Sequence, residues 1–210
     1  MLLKISTISF NVDNLLELYR EIVAGDSKKL NLVSRRDVKN LLEKLVDESL
    51  LPLEWSDCRL ASPVIDIGSG AGLPGIPLKI ARPDLRIVLL EANRRKSLFL
   101  RKAVATLALE DIEVICRRAE RIADDPMFKG QFNSLVSRGT APLKTLLEWG
   151  RSLLGKGGEL VAWKGSGVDG ELARLDITGW SEPALLRTPT GLTLVRFELL
   201  EHQPIPGKTD

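Results

Sequence analysis

The chain reads as an α/β fold: a mostly parallel sheet ending in a C-terminal antiparallel hairpin, preceded by a small helical segment. Three observations predict it. From Pro63 onward, short runs rich in Val, Ile and Leu alternate with amphipathic stretches, the pattern of βαβ units. Before Pro63 the apolar residues recur at helical spacing. Near the C-terminus the alternation gives way to two β-like runs separated by Thr188-Pro189-Thr190-Gly191, a hairpin signal.

Taken in order, the first 59 residues are expected to form helices that cover one side of a functional site. Leu15, Leu16, Tyr19, Ile22 and Val23 share one helical stripe, and Val38, Leu41, Leu42, Leu45 and Val46 share a second. Gly25-Asp26-Ser27 is expected to interrupt the first, and Asp37 to cap the second. Residues 54–62 are polar and irregular, a link into the main domain of residues 60–210. There, strands are predicted at Val64–Ile67, 86–91, 113–116, 134–137 and 159–163. Helices are predicted between and after them, at Gly75–Ala81, 94–107, 142–153 and 168–175. The closing hairpin takes Ala184–Arg187 and 193–200.

Composition narrows the chemistry. A chain of 210 residues needs neither disulfides nor a metal to bury a core. Its two cysteines, Cys58 and Cys116, lack C-x-x-C spacing, which suits a reducing cytoplasm and argues against a zinc site. The single histidine, His202, lies near the end, so catalysis by a histidine base or a histidine-bound metal is not expected. No apolar run approaches the roughly 20 residues needed to span a bilayer, and the N-terminus lacks the long apolar core of a signal peptide. A net charge of +2 permits a nucleic-acid partner without demanding one, while aromatics at 5% argue against base-stacking platforms. Trp149 and Trp163 accordingly read as core.

The first predicted strand runs into VIDIGSGAGLPGIPL. Gly68, Gly70 and Gly72 alternate there, and Gly75 opens the next helix. Glycine suits a turn with positive φ and a ligand lying against bare backbone. After strand one of a doubly wound sheet, such a loop floors a nucleoside-bearing site. Glu91 ends the second strand 23 residues beyond Gly68, where a carboxylate can accept from ribose hydroxyls. The acidic Asp66 two positions before Gly68 departs from the usual dinucleotide pattern. It resembles the first motif of class I S-adenosylmethionine-dependent methyltransferases, whose fold is Rossmann-like and whose cofactor carries an ammonium in place of a pyrophosphate. The plainer alternative is that Asp66 ties down the turn and the glycines are ordinary loop residues.

Further out, GSGAGLPGIPLKIARPDLRIVLLEANRRKSLFL resembles the GidB-type ribosomal RNA small subunit methyltransferase G family. Leu73-Pro74-Gly75-Ile76-Pro77 carries more of the likeness than the glycines. Matching positions recur at Asn31-Leu32-Val33-Ser34-x-Arg36-Asp37, Arg118-Ala119-Glu120, Val136-Ser137-Arg138 and Trp163-Lys164-Gly165. The resemblance implies methylation of N7 of one guanine in bacterial small-subunit ribosomal RNA, with S-adenosylmethionine as donor. By it, cofactor contacts fall on Gly68, Leu73, Ala119, Glu120 and Arg138, with Glu91 on the ribose and Ala119-Glu120 beside the adenine. Asp66, Gly70 and Gly72 complete that set. Arg95, Lys96, Arg118, Arg138 and Lys164, with Arg36 in the N-terminal segment, would approach RNA. Two departures fall on the RNA side. Leu45-Val46-Asp47-Glu48-Ser49 stands where the family carries His-Ile-Leu-Asp-Ser, and Leu192-Thr193-Leu194 where it carries Arg-x-Leu.

Guanine N7 has a lone pair and no proton to lose, so methyl transfer to it needs alignment and no general base. Arg138 is therefore read as positioning, with no residue assigned as acid or base. Five of the six residues Asn93, Arg94, Arg95, Lys96, Arg101 and Lys102 are basic, and Arg117-Arg118 follow the next strand. Such faces are often merely solvated, but parallel topology gathers these strand ends at the rim that holds the glycine loop, which favours phosphate. Asn31 and Ser34 serve equally as turn-tying residues. The expected partner is small-subunit RNA or the assembling 30S subunit, with no membrane and no obligate protein partner. Three alternatives stay open: a nucleotide-dependent oxidoreductase on a similar sheet, an RNA-binding protein that has lost transfer, and a methyltransferase with another RNA target.

Overall fold

Four-residue runs such as VIDI and IVLL are too short for helices and, Asp66 apart, apolar, as strands covered on both faces are. In the computed structural model, which describes residues 2–33 and 38–200, they form the centre of the sheet. Strands β1 (Val64–Ile67), β2 (Ile87–Leu90), β3 (Ile112–Ile115), β4 (Phe132–Arg138) and β5 (Leu154–Lys164) run parallel. β7 (Thr193–Glu198) lies antiparallel to β5 and pairs with β6 (Ala184–Arg187) as a hairpin. The order across the seven strands is β3-β2-β1-β4-β5-β7-β6. The chain therefore reverses direction across the sheet between β1 and β4, which opens a crevice at their carboxyl ends.

Helices cover the two faces, and strand alternation sorts side chains between them. Val64, Leu89, Val136 and Trp163 point into one core, shared with Tyr19, Leu42, Ile76 and Phe99. That side is covered by α1 (Leu2–Leu30), α2 (Val38–Leu50), α3 (Gly75–Ala81) and α4 (Arg94–Thr106). Ile65, Ile67, Leu90 and Ala162 point into the other, against α5 (Ala119–Ala123), α6 (Leu143–Leu153) and α7 (Val168–Leu172). The N-terminal helices thus share a core with the sheet. The link after α2 is held by Glu159, buried in β5, whose carboxylate accepts the Leu60 amide and pairs with Arg196 at 3.1 Å.

The predicted elements differ from the observed ones in places that have physical reasons. α1 does not break at Gly25-Asp26-Ser27. Ser27 Oγ donates back to the Val23 carbonyl at 2.6 Å, and the buried stripe of Tyr19, Val23 and Ser27 outweighs a helix-interior glycine costing about 1 kcal/mol. Asn31, immediately after the helix, takes φ +50°, the left-handed cap position. Asp37, expected to cap α2, lies outside the described residues, as do Ser34, Arg35, Arg36 and His202. α5 was not predicted, since five residues are too few for a period to show. β4 and β5 run further than their apolar centres because Phe132 pairs with Leu154 beyond a register shift.

Candidate functional site

The glycine loop is built from its two ends inward by carboxylates. Asp66 Oδ2 accepts the Gly75 amide at 3.0 Å and so fixes the start of α3. Glu91 Oε2 accepts the Gly70 amide at 2.9 Å, while its Oε1 accepts the Asn93 amide at 2.7 Å. The loop also continues the sheet for one step, since the Gly68 amide donates to the Leu90 carbonyl at 2.8 Å. Gly68 has φ +75°, and a Cβ placed there would stand 2.2 Å from Thr140 Oγ1. Only glycine lets β1 turn this closely past the end of β4. Thr140 in turn donates to the Ile67 carbonyl at 3.0 Å and closes the turn.

Beyond these strand ends lies a cavity of about 300 Å³, at the lower end of the range for small-molecule sites. Of the residues expected at a cofactor, Gly68, Glu91, Ala119 and Glu120 line it, together with Arg118 from the RNA set. Asp66, Gly70, Gly72, Leu73 and Arg138 do not. Within the strands, alternation accounts for Asp66 and Arg138. Ile67 and Leu90 point to the α5–α6 side, where the cavity opens, whereas Asp66 and Arg138 share the parity of Val64 and Val136 and face the N-terminal helices. Leu73 is buried in that same core.

Sequence reasoning missed Thr140 and Ala92 in the cavity wall, placed Arg117 at this rim as a phosphate contact, and read Trp149 as core. Trp149 is only half-buried: it packs against the core of that side and also forms part of the cavity wall. Trp163, by contrast, is buried as expected, its indole N–H donating to the Glu48 carbonyl at 2.7 Å.

On the opposite side of the loop stands a buried polar cluster. Asp66 is fully buried, and burial pushes its carboxyl up to about 7, held back by the Gly75 amide and the Ser69 hydroxyl and raised further by Glu91. Its Oδ1 has no partner among the described residues. Tyr19, also fully buried, donates to the Ala71 carbonyl at 3.1 Å beneath the loop. Burial, and then the charge of Asp66, raise its phenol well above the usual value, so it stays neutral. Arg138 Nη2 pairs with Glu48 Oε2 at 2.5 Å, and Arg138 Nη1 is buried without a partner among the described residues. Glu48 thus remains an acid where the family carries aspartate, and Leu45 packs against the core where it carries histidine.

The cations expected at RNA divide into free and committed. Arg95 and Lys96 lie in the first turn of α4, whose cap is Asn93: its side chain accepts from both of their amides. Among the described residues no ion pair holds Arg94, Arg95, Lys96 or Arg118, whereas Arg117 pairs with Asp125 and Lys102 with Asp26. Lys164 differs from expectation. It points to the α6–α7 side, pairs with Glu171 at 2.7 Å, donates to the Ala141 carbonyl at 3.2 Å, and is 13% exposed. Among the described residues no three His, Cys, Asp or Glu side chains gather as a metal site, and no helix is long and apolar enough to cross a membrane.

Comparison with known proteins places this geometry. A likeness of fold links the chain to SibL, an S-adenosylmethionine-dependent methyltransferase, with TM-score 0.61 at 14% identity over 83% of this chain and 62% of that one. The T. thermophilus 16S rRNA methyltransferase RsmC, in complex with AdoMet and guanosine, aligns with TM-score 0.56 at 16% identity over 82% of this chain and 42% of that one. Both share the class I methyltransferase fold. Among sequences, the ribosomal RNA small subunit methyltransferase G of Moorella thermoacetica is 41% identical over 158 residues, covering 75% of this chain and 66% of the relative. That of Kineococcus radiotolerans is 42% identical over 158 residues, covering 74% and 59%. The chain therefore spans less than two thirds of the length of these curated relatives. The family model GidB, described as rRNA small subunit methyltransferase G, matches residues 12–182, and the chain belongs to that family.

Proposed function

We propose that the protein transfers a methyl group from S-adenosylmethionine to N7 of a guanine in small-subunit ribosomal RNA, acting in the cytoplasm on folded or partly assembled subunits. One observation carries the cofactor half of this reading. Glu91 stands in the cavity wall at the switch point with its carboxylate already fixed by two backbone amides. Each oxygen keeps a second lone pair, so Glu91 can accept from ribose hydroxyls without releasing the loop. The surrounding groups fit the same ligand. Ile67, Leu90, Ala119 and Trp149 offer an apolar slot for adenine, with Glu120 at its edge. The Gly70 amide, which a pyrophosphate would need, is already given to Glu91. Gly68, Gly72 and Leu73 shape the loop beneath.

When bound, S-adenosylmethionine supplies an electrophilic methyl on a sulfonium sulfur. Guanine N7 would take the methyl through its lone pair, while the sulfur kept the electron pair of the broken S–CH3 bond as a neutral thioether. N7 has no proton to lose, so no residue need act as acid or base. The chain's task is alignment, which can supply roughly 7–11 kcal/mol of a barrier. Arg138 belongs to that task. A guanidinium presents its N–H donors in a fixed planar fork, so Arg138 is suited to holding a reactant in place. Arg95, Lys96 and Arg118, with Arg36, take backbone phosphates. Lys164 is left out of this set because Glu171 holds it.

Calorimetric titration with S-adenosylmethionine and with NAD, followed by labelled methyl transfer to unmodified small subunits, tests the proposal. The expected result is binding of S-adenosylmethionine alone and labelled 7-methylguanosine in the RNA. Binding of NAD alone would overturn the cofactor half. Cofactor binding without transfer to the subunit would overturn the acceptor half and favour a retargeted or inactive RNA-binding protein.

A further inference from the structure

The pairing of Arg138 with Glu48 joins two elements that are 90 residues apart in sequence. Both side chains are largely shielded, 17% and 10% exposed. Glu48 is itself held from several directions. The Thr190 hydroxyl, in the turn between β6 and β7, donates to its Oε1 at 3.4 Å, and Lys44 Nζ lies 3.6 Å from the same oxygen. Its backbone carbonyl takes the Trp163 indole from the end of β5. The carboxylate is therefore fixed before it meets Arg138.

A pair that served stability alone would gain most from the two-pronged contact available to a guanidinium and a carboxylate, which engages two guanidinium nitrogens. Here Nη2 is clamped, while Nη1 stays buried without a partner among the described residues. A bare guanidinium N–H held on a fixed arm is set to take an oxygen of a reactant. We infer that Glu48 is a positioning residue, by which the N-terminal helices orient Arg138 so that Nη1 meets either the cofactor's carboxylate or an oxygen of the acceptor nucleotide. This rests on the reading of Arg138 given under the proposed function. It also gives the N-terminal segment a part in the chemistry beyond covering the site.

The test uses the full chain with Glu48→Gln, Glu48→Asp, Arg138→Gln, Arg138→Lys and the double variant Glu48→Gln/Arg138→Gln. Affinity for S-adenosylmethionine is read by calorimetry and turnover on unmodified small subunits by labelled transfer. Glu48→Gln should lose about tenfold in cofactor affinity or in kcat/KM, the first if Nη1 serves the cofactor and the second if it serves the acceptor. Glu48→Asp should restore most of the loss. In the Arg138→Gln background Glu48→Gln should cost nothing more, since residues acting as one unit are not additive. Arg138→Lys keeps the charge and the pairing but has no second nitrogen to present, so it should lose as much as Arg138→Gln even if Glu48→Gln folds poorly. The inference is overturned if Glu48→Gln and Arg138→Lys both match the wild type, or if the two Gln losses multiply. A wild type that binds no S-adenosylmethionine would overturn the cofactor reading and this inference together, a pattern distinct from either.

Discussion

Asp66→Asn isolates the energetic cost of the buried carboxylate under the loop. The Asp66 carboxyl sits at about 7 in the fold against an ordinary value of 3.8, chiefly through burial. Between those values the folded chain holds a proton that the unfolded chain has released. The stability this group contributes is therefore full below about pH 4 and is lost as pH rises through about 7. Between pH 5 and pH 8 the loss comes to about 2.5 kcal/mol, from 1.36 kcal/mol per unit of displaced pKa. Asn keeps an oxygen for the Gly75 amide and does not titrate, so any fixed packing cost of its NH₂ group cancels across pH. Equilibrium urea unfolding of both proteins at pH 5, 6, 7 and 8 should find wild type losing about 2.5 kcal/mol relative to Asp66→Asn across the range, or roughly 5–10 °C in Tm for a chain of this size. A difference that stays constant with pH would refute the reasoning.

Four further predictions concern the loop and the rim. Gly68→Ala forces a side chain into left-handed backbone and against Thr140, costing about 2–3 kcal/mol from strain plus a disturbed hydrogen bond. Thermal unfolding should place its Tm roughly 5–10 °C below wild type. Glu91→Gln puts an NH₂ against one of the two amides that Glu91 now accepts, and it should weaken S-adenosylmethionine binding about 10- to 100-fold by calorimetry. Arg95→Gln with Lys96→Gln should flatten the salt dependence of RNA binding by about one unit of slope per lost phosphate contact, with cofactor affinity unchanged. Lys164→Gln should instead leave that slope intact and lower stability by about 1 kcal/mol, because its ammonium is spent on Glu171.

Much of the fold was open to reading because its strands carry their own boundaries. VIDI and IVLL are brief, apolar but for Asp66, and each followed by a loop and a helical stretch, so order and type follow from pattern. The glycine loop and Glu91 were legible for a similar reason, since their chemistry is local and their spacing fixed. The readings that failed depended on partners distant in sequence. Gly25-Asp26-Ser27 looks like a break until the packing of Tyr19 and Val23 beneath the loop is known. β5 reaches back to Leu154 only because Phe132 is there to pair with it.

The placement of charged residues at the site was also partly encoded, in the parity of each strand. Asp66 lies two residues beyond Val64 and Arg138 two beyond Val136, so both belong to the face that buries Tyr19 and α2. Lys164 lies two residues beyond Ala162, on the face that carries Glu171. Counting by two from a core residue separates the carboxylate and guanidinium beneath the loop from the cavity wall of Ile67 and Leu90. It does not tell which cations stay free. Lys164 and Arg95 are alike as sequence, and what distinguishes them is a carboxylate within reach on α7, which only the fold brings beside the end of β5. Arg138 combines both cases: parity sends it toward the N-terminal helices, and only the fold reveals that Glu48 waits there with its other oxygen already engaged. A charge therefore becomes part of a site through the partners that leave it free or hold it still, and those partners are set by packing across the whole chain.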